Sequence, residues 1–142
     1  MEKTYRKPLP YVDEDTAPFW ESMKRHEFVL FRCKVCGAWY FPVTFCRNHK
    51  NAPLFGNMEW AMASGKGKVF TFVIHHRAFD PAFADDVPYV FAEIETDEGP
   101  LIGSNVVGCD SSEVYIGMPV EVVFEDITEE FTLPKFRPIK KS

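Results

Sequence analysis

Four side chains able to hold a soft metal ion fall within one short stretch: Cys33, Cys36, Cys46 and His49, spaced as CxxC, nine residues, then CxxH. Two residues between a pair of ligands let a tight turn present both to one ion while backbone amides aim at the thiolates, and two such turns complete a tetrahedron. The pattern points to zinc. Four protein ligands leave no open position for water, so the metal is expected to be structural, supplying folding free energy that so small a unit lacks. Gly37 follows the first pair, where a turn needs positive φ. Two other readings of the same residues are coincidentally spaced buried cysteines beside a surface histidine, and a redox CxxC, for which no βαβ pattern surrounds the motif.

Other reactive groups form no set. His75 and His76 are adjacent on an expected strand and so point to opposite faces. Asp80, Asp85 and Asp86 lie in the loop AFDPAFADDVP, where a solvated edge is commoner than a paired-carboxylate mechanism, and Cys109 is a lone thiol with no histidine nearby in sequence. There is no phosphate loop and no nucleophile elbow. The chain reads as not catalytic by itself.

Positioning such a metal knuckle takes short strands, and the sequence supplies them. FVLFRC and WYFP flank the turn CKVCGA, and CRNHK closes the unit. Before it, residues 1–12 read as an extended arm, and an amphipathic helix is expected from Asp15 or Thr16 to about His26, with Phe19, Trp20 and Met23 on one face. After a linker at 51–57, strands are expected at Glu59–Ala63, Lys68–Arg77, Tyr89–Thr96, Leu101–Val107 and Val120–Asp126, with a last piece at Phe136–Ile139 and one helical turn in DSSEVYIG. Five or so strands with one small late helix outline an OB-type barrel. The expected organisation is therefore mainly β: arm and helix over 1–27, zinc ribbon over 28–57, OB barrel over 58–142.

The 142 residues suffice for one ordinary domain or a small one with an appendage, and no stretch approaches the roughly 20 apolar residues of a membrane span. MEKTYRKPLP also lacks the apolar core of a secretory signal, so a cytoplasmic location and no membrane are expected. The net charge of -5 conceals segregation: residues 78–134 hold fourteen Asp and Glu and no Lys or Arg, whereas 24–50 carry Lys24, Arg25, Arg32, Lys34, Arg47 and Lys50 against Glu27 alone. Arg32, Lys34, Arg47 and Lys50 can balance a zinc site left with a charge near minus one, or receive phosphate groups. Single-stranded nucleic acid, a common OB ligand, is disfavoured, because strands two to four of the barrel lie in the acidic span.

The order of PFWESM, FVLFRCKVCGAWYFPVTFC, WAMASGKGKVFTF, PYVFAEIETDEGPLIG, IGMPVEVVFED and LPKFRP resembles the acyl-CoA-associated proteins that join a rubredoxin-like zinc ribbon to an OB fold, a domain of unknown function. The likeness covers most of the chain, with one departure: the fourth ligand, commonly cysteine there, is His49 here. The resemblance implies an accessory subunit of a hetero-oligomer, docked on a thiolase-fold catalytic partner and helping to bind or position acyl-CoA. The implied chemistry is degradative thiolysis of a β-ketoacyl-CoA, benzoylsuccinyl-CoA among them, or retro-aldol cleavage; the alternatives are a free-standing acyl-CoA carrier and a single-stranded nucleic-acid-binding OB-fold protein. Coenzyme A would then take its phosphates to Lys24, Arg25, Arg32, Lys34, Arg47 and Lys50, with its pantetheine arm in a trench between helix and barrel. Phe19, Trp20, Phe79, Phe83, Phe131 and Phe136, in helix, loops and tail, are candidate interface anchors that could equally cover the barrel ends.

Overall fold

The computed structural model describes residues 5–42, 45–49 and 57–139. Among these described residues one α-helix, α1 (Ala17–Lys24), precedes eight strands: β1 (Val29–Cys33), β2 (Trp39–Tyr40), β3 (Met58–Met62), β4 (Lys66–His75), β5 (Tyr89–Thr96), β6 (Leu101–Val106), β7 (Pro119–Asp126) and β8 (Thr132–Pro138). The helix is set by a reciprocal turn: Asp13 N–H donates to the Thr16 hydroxyl at 3.0 Å while Thr16 N–H donates to the Asp13 carboxylate at 2.9 Å. Pro18 sits in its first turn, where its missing N–H costs nothing. Phe19, Ser22 and Met23 form the buried side.

The strands divide into a three-stranded sheet, β2-β1-β3, and a closed barrel in the order β4-β5-β6-β8-β7. All pairings are antiparallel except β6 with β8, which meet in parallel at Val106 and Phe136. Closure of β7 on β4 pairs Gly67 with Val120. A single 3-10 turn, Ser111–Glu113, lies between β6 and β7, as expected for DSSEVYIG. This is the five-stranded OB barrel expected from the strand pattern.

Two strand assignments differ from expectation. The segment expected at Glu59–Ala63 as a barrel strand is β3, and it runs beside β1 with Val29 opposite Met62 and Cys33 opposite Met58. Ring stacking decides the matter: Trp60 lies on Phe31 with centroids 3.7 Å apart. The last strand begins at Thr132 rather than Phe136. Pro134 is accommodated within it: its carbonyl accepts the Ser104 hydroxyl at 2.7 Å on the β6 side, where only one bridge forms.

Inward residues of the barrel are Val69, Val90, Ala92, Ile94, Ile102, Val106, Val120 and Phe136, alternating with outward ones as a half-exposed sheet requires. The same buried cluster continues without a break into Phe19, Met23, Phe28 and Leu30. Of the proposed anchors, Phe19 and Phe136 are therefore core residues, because the helix and the β7–β8 ladder fold them onto the barrel. Trp20 packs edge-on against Phe131 at 5.8 Å, and Phe19 lies tilted against Trp60 at 5.6 Å, so rings fill the space between α1 and the strands where a trench was expected.

Candidate metal centre

The first knuckle grows directly from β1. Cys33 N–H donates to Ala38 carbonyl at 2.8 Å and Gly37 N–H to Cys33 carbonyl at 2.9 Å, which folds CKVCGA into a tight turn. Gly37 has φ of 75°, the positive value its position called for. The second knuckle, Cys46 to His49, is held beneath it by Tyr40 on β2, whose hydroxyl lies 3.4 Å from Cys46 Sγ and accepts Arg47 N–H at 3.2 Å. Four ligand atoms result, from Cys33, Cys36, Cys46 and His49, all within 4.8 Å of one another.

These distances suit a tetrahedral ion. Bonds of about 2.1–2.3 Å from zinc to nitrogen or sulfur imply edges of roughly 3.4–3.8 Å. Cys33 Sγ is 3.5 Å from His49 Nε2, and Cys36 Sγ is 3.6 Å from Cys46 Sγ. The cluster is of the zinc-ribbon type and can hold a metal ion. Its electrostatics favour thiolate at two of the three cysteines: Ala38 N–H and the Asn48 side chain bring the Cys36 thiol down to about 6, whereas Cys46, despite the Tyr40 hydroxyl, is raised by burial and by Cys36 and Cys33. Cys33 is lowered chiefly by Cys36 N–H, and His49 is raised by its contacts with Cys33 and Cys36. A cation binding there would displace the imidazole proton and keep the thiolates charged.

Tyr40 and Asn48 are outer partners that the spacing of metal ligands did not reveal. Asn48 N–H points at Cys46 Sγ from 3.5 Å, and its side-chain amide at Cys36 Sγ from 3.6 Å. The usable signals were an amide side chain inside CRNH and an aromatic hydroxyl on the strand opposite the knuckle.

The six basic candidates separate into two neighbourhoods. Lys24 and Arg25 end α1, and Arg25 is engaged by Glu27 and Ser22 at 3.2 Å each. Arg32, Lys34 and Arg47 surround the knuckles; Arg32 lies over the Trp39 ring at 5.6 Å and Arg47 over Tyr40 at 5.4 Å. Among the described residues none of those three is paired with a carboxylate, which leaves their charge available. Lys50 lies outside the described residues.

Three of the candidate groups elsewhere have structural employment. Asp80 accepts Ala82 N–H at 2.8 Å, Asp86 pairs with Lys7, and His75 stacks on Tyr89 at 4.8 Å. Burial, with Glu113 and Asp110 nearby, pushes the Cys109 thiol up, away from nucleophilic use. Cys109 lines a cleft of about 310 Å³ whose other walls include Lys7, Phe83, Tyr89, Asn105, Glu125 and Lys135. Among the described residues, none of the five other basic candidates, Lys24, Arg25, Arg32, Lys34 and Arg47, borders it.

Comparison with known proteins completes the description. A family model described as the C-terminal OB-fold domain of ChsH2 matches residues 60–125. A DUF35 domain-containing scaffold protein of Methanocaldococcus jannaschii is 40% identical over 113 residues, covering 78% of this chain and 77% of that protein. The chain belongs to the DUF35 family. A probable enoyl-CoA hydratase alpha subunit of Thermomonospora curvata is 34% identical over 134 residues, which is 93% of this chain. The chain spans only 40% of that protein's length. A chain of the solved Ltp2-ChsH2(DUF35) aldolase superposes with a TM-score of 0.79 at 31% identity, covering 92% of this chain and 98% of that one. Among the described residues no helix is long and apolar enough to cross a membrane.

Proposed function

We propose that this DUF35 protein is the non-catalytic accessory subunit of an acyl-CoA-cleaving enzyme, acting in the cytoplasm on a thiolase-fold catalytic partner. The likeness carrying this reading is to the Ltp2-ChsH2(DUF35) aldolase, where 98% of a chain in that assembly is matched. The hydratase alpha subunit places another relative in acyl-CoA chemistry. The partner would supply the groups that make and break bonds, and the substrate class is a β-oxygenated acyl-CoA cleaved by thiolysis or retro-aldol reaction.

Cys33, Cys36, Cys46 and His49 would hold one zinc ion, whose chemistry here is to pin the knuckles rather than to activate water. Arg32, Lys34 and Arg47, with Lys24, Arg25 and Lys50, would meet the phosphates of coenzyme A. Rings occupy the helix–barrel gap, so the pantetheine arm would run over the ribbon surface and into the partner.

Co-expression of the full chain with the thiolase-fold protein of its source tests the assembly, and calorimetry with coenzyme A tests the ligand. The expected result is a co-eluting complex that binds coenzyme A, weakened at least about tenfold by Arg32→Glu with Lys34→Glu. A chain that elutes alone, or that cleaves an acyl thioester unaided, overturns the proposal.

A further inference from the structure

The outward surface of β4 and β5 departs from the usual polar exterior of a half-exposed antiparallel sheet. Val73 and Phe91 are opposite one another, as are His75 and Tyr89 two residues along, so all four project on the same outer side. Val73 is 53% exposed and Phe91 41%. The loop after β4 extends the surface: Phe79, 85% exposed, stands edge-on to His75 at 6.4 Å, and Phe83 leans on Tyr89 at 5.9 Å. Gly103 leaves the Phe91 ring its space, since a Cβ there would lie 3.0 Å from the ring.

The charge around this aromatic ridge is one-sided. Asp85 and Glu93 have no ion-paired cation among the described residues, and Asp80 caps a turn; Arg77 stands against the three. Lys68 and Lys7 are already committed to Glu95 and Asp86. An aromatic centre with an acidic rim repels nucleic acid and matches the anatomy of a protein interface.

Resting on the function proposed above, we infer that the outer β4–β5 face, centred on Val73, Phe79 and Phe91, is where the catalytic subunit docks, through an apolar recess bordered by Lys and Arg. The basic ribbon, on this division, is left to the ligand's phosphates. The aromatic ridge provides the short-range contact, and the acidic rim adds long-range attraction that salt weakens.

The test uses the full chain and the co-expressed thiolase-fold protein, with affinity measured at low and high salt. Phe79→Ser lies at so exposed a site that folding is untouched, and Phe91→Ser is checked by its melting temperature. Either variant is expected to weaken the complex at least tenfold, and Asp85→Lys with Glu93→Lys to weaken it and flatten its salt dependence. Full affinity in Phe79→Ser and in folded Phe91→Ser overturns the assignment of this face while leaving the accessory function standing. No complex from the unaltered chain overturns both. A homodimer of the chain that Phe79→Ser converts to monomer also overturns it, since the ridge would then serve a second copy.

Discussion

Phe28 stands edge-on to Phe136, ring centroids 5.9 Å apart at 85°. The residue that leads into the ribbon's first strand thus packs on a fully buried side chain of the barrel, and ribbon and barrel share one core. Phe136→Ala is expected to cost about 3–5 kcal/mol. Denaturation followed by tryptophan fluorescence, which reports Trp39 and Trp60 in the ribbon sheet together with Trp20 on α1, and by far-ultraviolet dichroism should show a single coincident transition. Two separated transitions would mean that the parts fold apart.

Removing the metal should release the ribbon. Cys33→Ser and Cys46→Ser are each expected to lose about one zinc per chain by atomic emission and to melt well below the unaltered protein, because metal binding and folding draw on the same free energy. His49→Cys supplies another zinc ligand and should keep the metal. A metal-free preparation with an unchanged melting temperature would refute the structural role.

Tyr40→Phe deletes only the hydroxyl between Cys46 Sγ and Arg47 N–H. The expected consequence is a roughly 10–100-fold loss of zinc affinity, read by competition with a chromogenic chelator, since outer partners fix the ligands they touch. The fold should survive, with at most about 1–2 kcal/mol lost.

Acid should loosen the join between helix and barrel. Asp126 accepts the Thr132 hydroxyl at 2.5 Å and lies 2.9 Å from His26 Nε2, and these two contacts, Thr132 first, hold its carboxyl below the ordinary value of 3.8. A carboxyl lowered in the folded state stabilises above its unfolded value and loses that contribution as pH falls through the folded one. Asp126→Asn should therefore melt lower than the unaltered protein at neutral pH. The gap should close once acid has protonated both folded and unfolded carboxyls, below 3.8.

Local chemistry was legible in the residues, and non-local pairing was not. The four side chains that can hold a metal ion could be read as a cluster because two turns of fixed length carry them, and Gly37 announced the conformation it adopts. Strands β4 to β7 were legible for the same reason: their alternation is written into each segment. The partner of β3 was not, because Met58–Met62 contains nothing that chooses between β1 and the barrel until Trp60 meets Phe31. The start of β8 was not legible either, because residues 132–135 become a strand by pairing with Val123 to Asp126 of β7. The cleft near Cys109 draws its walls from the arm, a loop and several strands, so only folding assembles it.

The order of the barrel strands has a bearing on biosynthesis. β8, which follows β7 in sequence, occupies the slot between β6 and β7, and Phe136 enters the centre of the core from it. While the polypeptide is still being made, the earlier strands can form a curled sheet with its inner apolar side open. Until that segment leaves the ribosome the ring cannot shut, and the unfinished protein must shelter that side by other means.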